Sequence, residues 1–212
     1  MGIVASRRTR KRLATRLSIS DTATRLFLER GFDAVTIDDI ATAADVGRMT
    51  VFNHFPRKED MFFDREEEIQ ALVFNSIRGR ERGVSPIEAA RQLAHDLVSQ
   101  NHELVMLSDD TNLFIKTAMS SEALKARARE MRDDFTHALA VVLAEITNEP
   151  TGDPKAHLAA GLIVATWTVA FSEAQKLFEG TRHAEDAKRR FLTIIDRGIA
   201  GATAALIDTA YA

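Results

Sequence analysis

The stretch Thr36–Pro56, TIDDIATAADVGRMTVFNHFP, decides how the N-terminal part folds. Thr36 offers a hydroxyl to cap a helix, and Asp39, three positions on, can complete a capping-box-like pair. A short helix then runs to about Ala43, and Asp45 and Val46 make a tight turn. A second short helix spans Gly47 to Phe55. Pro56 stops it, because proline lacks an N–H and cannot continue a helix. Two short helices joined by a tight turn, following a longer one, form a helix-turn-helix unit. The second helix is slim enough for the major groove, and its first residues reach base edges. Those residues are Arg48, Met49, Thr50 and Asn53. Arginine can bond guanine bidentately, asparagine can bond adenine, and the threonine methyl can touch thymine. His54 either bonds a phosphate or caps the helix end. Lys58, at the start of the next helix, suits a phosphate through its charge and that helix's N–H groups. Phe55 reads as core, and Phe52 as half-buried near the DNA backbone.

Working outward, the preceding helix runs from about Arg10 to Arg30, with Ile19, Ala23, Leu26 and Phe27 as its inner stripe. Gly31 caps its end, since glycine adopts the left-handed conformation cheaply, and Phe32 can fold back over it. Residues 1–16 hold six basic side chains, Arg7, Arg8, Arg10, Lys11, Arg12 and Arg16, and no acid. Residues 1–60 carry eleven basic against eight acidic side chains, and the rest carries seventeen against twenty-three, within a net charge of −3. One end suits a polyanion and the other would be repelled by it.

Downstream, the 3.6-residue apolar spacing predicts helices over about 58–82, 86–106, 109–118, 121–147, 154–180 and 184–209. Ser85-Pro86-Ile87-Glu88 opens one of them as cap, first helical residue and back-reaching carboxylate. The expected fold is all-α, with about nine helices. Residues 1–57 form a helix-turn-helix domain with a basic N-terminal arm, and residues 58–212 a helical bundle joined to it by the fourth helix. No run approaches the roughly 18 uninterrupted apolar residues of a membrane span; Leu158 to Phe171 is broken by Thr166 and Thr168. No secretory signal opens the sequence. The chain has no cysteine, which rules out disulfides and thiolate metal sites and fits a reducing cytoplasm.

Three blocks carry a resemblance. They are Ile19-Ser20-Asp21-Thr22-Ala23-Thr24-Arg25-Leu26-Phe27-Leu28-Glu29-Arg30-Gly31-Phe32, then Thr36-Ile37-Asp38-Asp39-Ile40-Ala41, then Val51-Phe52-Asn53-His54-Phe55-Pro56-Arg57-Lys58-Glu59-Asp60-Met61. In this order and spacing they resemble the opening of a TetR-family (tetracycline-repressor type) regulator. Four positions depart from the family pattern. Asp45 stands where glycine is usual in the turn, and Gly47 replaces a hydroxyl cap. Met49 stands where a small residue is common. Phe52 replaces a tyrosine that can bond phosphate. These changes bear on which operator is bound more than on whether DNA is bound.

The resemblance implies a ligand-responsive transcription regulator, most often a repressor. It implies double-stranded operator DNA as one partner and a small-molecule effector as another, with DNA contacts from Thr36, Arg48, Met49, Thr50, Phe52, Asn53, His54 and Lys58. It also implies a ligand cavity in the C-terminal bundle and a homodimer interface made by the last two helices. The sequence is compatible with both. On the helix after Pro154, Leu158, Leu162, Ala165 and Val169 form one apolar stripe, and Val164, Trp167, Phe171 and Phe178 form another. A helix apolar on two sides must be covered on both. Gly198, Gly201 and Ala202 allow close approach on the last helix, whose apolar residues are Phe191, Ile194, Ile195, Ile199 and Leu206. His102, Met106, Phe114, Met119, Trp167 and Phe171 are the expected lining of a mostly apolar pocket. The alternatives are a metal or anion sensor on the same scaffold, or a helical small-molecule binding protein without DNA binding. His95 and His102 are seven apart on one helical face, yet no His-x-x-x-His or Glu-x-x-His pair accompanies them, so neither metal nor cofactor is expected. With no Gly-x-Ser-x-Gly elbow and no glycine-rich phosphate loop, no enzyme is expected.

Overall fold

The computed structural model describes residues 7–212, so residues 1–6 of the expected basic arm lie outside it. Ten α-helices and one 3-10 turn make up the described residues, with no strand. They are α1 (Arg7–Arg30), α2 (Ile37–Ala43), α3 (Arg48–His54), α4 (Glu59–Phe62), α5 (Glu66–Arg78), α6 (Pro86–Ser99), α7 (Asp109–Ser120), α8 (Glu122–Thr147), α9 (Pro154–Thr181) and α10 (Ala184–Ala205), with the 3-10 turn at Glu103–Val105. The chain divides into two compact units: residues up to Glu66 together with Leu113–Arg127, and Glu67–Asn112 together with Ala128–Ala212.

In the first unit, α1 buries Ile19, Ala23, Leu26 and Phe27, the stripe its spacing predicts. Gly31 has φ +83° and its N–H closes on the Phe27 carbonyl at 2.9 Å. Phe32 then folds back onto Phe27, ring centroids 4.8 Å apart. At α2 the capping box is complete: the Asp39 N–H donates to Thr36 Oγ1 (3.1 Å) and the Thr36 N–H to Asp39 Oδ2 (2.8 Å). Asp45 takes the left-handed conformation, φ +52°, and the Val46 N–H reaches back to the Ala41 carbonyl at 3.0 Å. Gly47 opens α3 with no side-chain cap. Val51 and Phe55 are completely buried and anchor α3 to the core of this unit.

The single helix expected over 58–82 is instead two, α4 and α5. Phe62 and Phe63 explain the break. Both reach the Phe114 ring, at 4.1 and 6.3 Å, and adjacent residues of a continuous helix do not share a face. The Ser20 hydroxyl also holds Asp64 and the Met61 carbonyl beside α1. Arg127 of α8 pairs with Asp60 (3.1 Å) and Glu66 (3.0 Å) on either side of the break.

In the second unit, the Ser85 hydroxyl caps α6 by accepting from the Glu88 N–H at 3.1 Å, with Pro86 in the first turn. The Glu88 carboxylate pairs with Arg91 at 2.8 Å rather than reaching back. The helix expected to continue to Met106 stops at Ser99, because Asn101 turns left-handed, φ +49°, and the His102 N–H closes on the Leu97 carbonyl at 2.9 Å. Asp153 caps α9 by accepting from the Lys155 N–H at 3.2 Å. At its other end Arg182, φ +58°, terminates the helix, and Gly180 stays inside it. α9 and α10 are the most extensively paired helices. Gly198 permits this, since a Cβ there would collide with the Thr166 side chain.

Candidate nucleic-acid interface and internal cavity

With Val51 and Phe55 turned inward, α3 presents Arg48, Met49, Phe52 and Asn53 on its outer side, and Thr50 is half-buried. Met49 is 69% exposed, a large apolar side chain with no intramolecular reason to be outside. Arg48 leans across to Asp38 of α2, 3.0 Å away with both partners exposed, and lies 5.7 Å from the Phe52 ring. An exposed pair of this kind is worth about 0–1 kcal/mol, so a base or phosphate can displace Asp38 at little cost.

Beside the end of α3 runs a basic groove. Arg8, Lys11, Arg12 and Thr15 from α1 face Asn53 and His54 across it. Helix α1 begins at least by Arg7, so positions 8, 11, 12 and 15 share one helical face. Residues 7–9, expected in a basic arm, are thus part of the helix. Arg16 lies just inside the groove. Its guanidinium donates to the His54 carbonyl at 2.7 Å and stacks over the Phe55 ring at 4.1 Å, tying the C-terminal end of α3 to α1. The His54 imidazole is held below its usual pKa by partial burial, then by Arg12 and Arg16.

Thr36 and Lys58 are placed differently from the α3 residues. The Thr36 hydroxyl is engaged in the α2 cap. Lys58 Nζ donates to the Phe32 carbonyl and lies 4.1 Å from the Phe32 ring centroid. Burial lowers its pKa, against Asp33, Glu59 and Asp39, which raise it. The helix it precedes has four residues, not the long helix whose N–H groups were expected to receive a phosphate.

The second unit contains a cavity of about 300 Å³. Ile69 and Val73 of α5, Leu93 and Leu97 of α6, Phe135 of α8 and Phe191 of α10 form much of its wall. Val164, Trp167, Thr168 and Phe171 of α9 complete one side. Of the six residues expected to line a pocket, Trp167 and Phe171 do so. Phe114 and Met119 belong to the other unit, where Phe114 stacks on Phe62 and Met119 is exposed. Met106 is exposed, and His102 spends Nδ1 accepting from the Leu104 N–H at 3.2 Å. Methionine and histidine do not mark the wall, which is largely aliphatic and aromatic. Its signal was the inner stripe of α9.

His95 and His102 do not converge. His95 bonds Asp196 at 2.8 Å, while His102 sits beyond the end of α6. Among the described residues no group of three or more histidine, cysteine or acidic residues could hold a metal ion. The outer stripe of α9 is uncovered: Leu158 is 49% and Val169 52% exposed. By length and composition α9 could cross a membrane, with a window of mean hydropathy 1.2; that average is a looser criterion than an unbroken apolar run, which Thr166 and Thr168 interrupt. A single such helix is also what a core helix of a globular protein provides.

The family model described as "Bacterial regulatory proteins, tetR family" matches residues 19–64, the segment that holds the inner stripe of α1 and all of α2, α3 and α4. TcmR, an HTH-type transcriptional regulator of Streptomyces glaucescens, is 32% identical over 82 residues, 39% of this chain and 36% of its own length. KstR2, an HTH-type transcriptional repressor of Rhodococcus jostii, is 28% identical over 103 residues, 45% of this chain and 48% of its own. The chain therefore spans less than half the length of these curated relatives. Among solved structures, NalD, the secondary repressor of the MexAB-OprM multidrug efflux pump in Pseudomonas aeruginosa, matches with a TM-score of 0.57. The match covers 89% of this chain and 96% of that one at 19% identity, a likeness of fold.

Proposed function

We propose that this chain, whose residues 19–64 match the tetR-family model, is a TetR-family repressor that binds a palindromic operator as a homodimer and is released by a small, mostly apolar effector. The observation that carries this reading is the outer side of α3. Arg48, Met49, Phe52 and Asn53 are turned away from the core beside the basic face of α1. Base edges are read by Arg48 and Asn53, with Thr50 and Met49 making apolar contacts. Phosphates are held by Arg8, Lys11, Arg12 and His54, which position without reading sequence. Phe52 packs against the sugar–phosphate backbone. Thr36 and Lys58 serve the site by holding α2 and the end of α1 in place.

DNA binding is assigned to residues 1–57, and effector binding and dimerisation to 58–212. The names of KstR2 and NalD as repressors favour repression over activation. The effector enters the cavity behind Trp167. It releases DNA by favouring a dimer whose recognition helices no longer match half-sites one helical turn apart. Linkage is reciprocal, so operator DNA must lower effector affinity by the factor by which effector lowers operator affinity.

The test is fluorescence anisotropy with DNA from upstream of the chain's own gene, beside scrambled DNA, at two salt concentrations. If that region holds no site, the operator is selected from random DNA. Sequence-selective binding that weakens with salt is expected. The R48A/N53A double variant is expected to lose about 2–6 kcal/mol of selectivity, the sum of two base contacts. Equal, weak binding to every DNA offered would sink the reading.

A further inference from the structure

We propose that Asp38 is a specificity-determining residue of the DNA interface: it holds Arg48 for a guanine and denies it to phosphates, lowering affinity for DNA at large and raising discrimination at one base pair. This rests on the reading of α3 as the recognition helix. Asp38 lies in the first turn of α2, not on α3, and is exposed, as is Arg48. Both of its carboxylate oxygens accept from the same nitrogen. Arg48 Nη1 is 3.2 Å from Oδ1 and 3.0 Å from Oδ2. The opposite edge of the guanidinium, formed by Nε and Nη2, has no partner among the described residues. That edge presents two parallel N–H groups, the pattern that matches guanine O6 and N7. A guanine therefore reaches Arg48 without displacing Asp38.

Charge decides against the competing contact. An unpaired arginine beside DNA takes any phosphate, and such a contact positions without reading sequence. Its long side chain also loses rotamer freedom when it is fixed on a base. Asp38 acts on both terms. Paired with it, Arg48 presents little net charge, and the carboxylate repels a phosphate. The edge of a guanine is uncharged and is not repelled. The bond to Asp38, with the Phe52 ring 5.7 Å from the guanidinium, restrains Arg48 before DNA arrives, so less freedom is lost on binding. Selectivity obtained by opposing the wrong contact costs overall affinity.

The test takes the full-length protein and a duplex that the wild type selects from random DNA. Every single-base substitution of that duplex and a scrambled duplex are titrated beside it by fluorescence anisotropy over a range of salt. R48A marks the guanine that Arg48 reads, as the position where discrimination is lost. D38A is expected to bind the scrambled duplex more tightly, with the slope of log affinity against log salt steeper by about 1. It is also expected to lose about tenfold of the discrimination at that guanine. D38N, which keeps an acceptor oxygen without the charge, is expected to share the steeper slope and to keep more of the discrimination. In the R48A background, D38A brings no steeper slope, because no cation is freed. A merely structural role would weaken binding to every duplex alike and lower the midpoint in urea, which D38A is expected to leave nearly unchanged. Uniformly weaker binding, an unaltered slope and discrimination in D38A, or an equal steepening without Arg48 overturns the proposal while leaving α3 the recognition helix. If the wild type selects no sequence at all, both readings fall.

Discussion

Lys58 has one ammonium group and two uses for it. From its place after Pro56 it reads as a phosphate ligand, yet its Nζ is bonded to the Phe32 carbonyl and lies over the Phe32 ring. A cation in that position closes the end of α1 and the turn behind it. Replacing it with methionine keeps the apolar stem and removes the charge. K58M is expected to lose about 1–2 kcal/mol of stability, read as a lower midpoint in urea, with the salt dependence of operator binding unchanged. The contrasting variant is R12Q, whose exposed side chain lines the groove beside His54. It is expected to keep its stability and to lower the slope of log affinity against log salt by about 1. A slope change in K58M would return Lys58 to the phosphate backbone. At this scale much was legible: the Thr36–Asp39 box, the left-handed Asp45 and the uncapped Gly47 all follow from side-chain chemistry acting on the nearest few peptides. The partners of Lys58 and Arg16 are 26 and 38 residues away, and no local pattern announces them.

Helix boundaries divide in the same way. The starts of α2, α6 and α9 carry their own caps in sequence, and they fall where Thr36, Ser85 and Asp153 put them. The break between α4 and α5 has no glycine or proline to mark it. It is set by Phe114 drawing two adjacent phenylalanines to one side, so periodicity runs straight through it. Tyr211 is a further tertiary device. Its hydroxyl donates to Asp153 Oδ2 at 2.7 Å, and its carbonyl accepts from the Ile87 N–H at 3.3 Å, so one residue secures the first turns of both α6 and α9. Burial, and then Asp153, push the phenol up to about 12 from a usual value near 10. Between these values the unfolded chain sheds the proton and the folded chain keeps it, so stability falls as pH rises, by up to about 1.4 kcal/mol per pH unit. Tyr211 is the only tyrosine, so phenolate absorbance follows it directly. Wild type is expected to lose stability through this window, and Y211F to lose less. Matching profiles would mean that the contact with Asp153 does not persist in solution. On the acid side the same bond holds Asp153 below its usual pKa. Its contribution is present above the ordinary carboxylate value and lost as pH falls through the folded one.

Over the whole molecule, the feature that needs an account is α9. Its two apolar stripes were visible in the sequence, but which one was inward was not, because both are equally apolar. Within one chain, Val164, Trp167 and Phe171 line the cavity and Phe178 is buried, whereas Leu158 and Val169 are about half exposed. Only 28% of the most apolar window of α9 is buried. An uncovered apolar face of this length is costly in water, and in the proposed homodimer an isologous partner covers it with the same patch. Two recognition helices joined in this proposed way would bind two half-sites at once, the second engagement at high effective concentration. Charge placed on the outer stripe therefore has to act at a distance. The L158E/V169E variant is expected to keep its helical circular dichroism and the binding of apolar probes to the cavity. In sedimentation it is expected to run as a 23.5 kDa monomer. Its operator affinity should fall by about 10²-fold or more, while weak, salt-dependent binding to scrambled DNA changes little, since Arg8, Lys11 and Arg12 are untouched. If the variant stays dimeric, the outer face of α9 is not the interface. If it becomes monomeric yet binds the operator as before, a single α3 suffices for recognition and the palindromic arrangement is wrong.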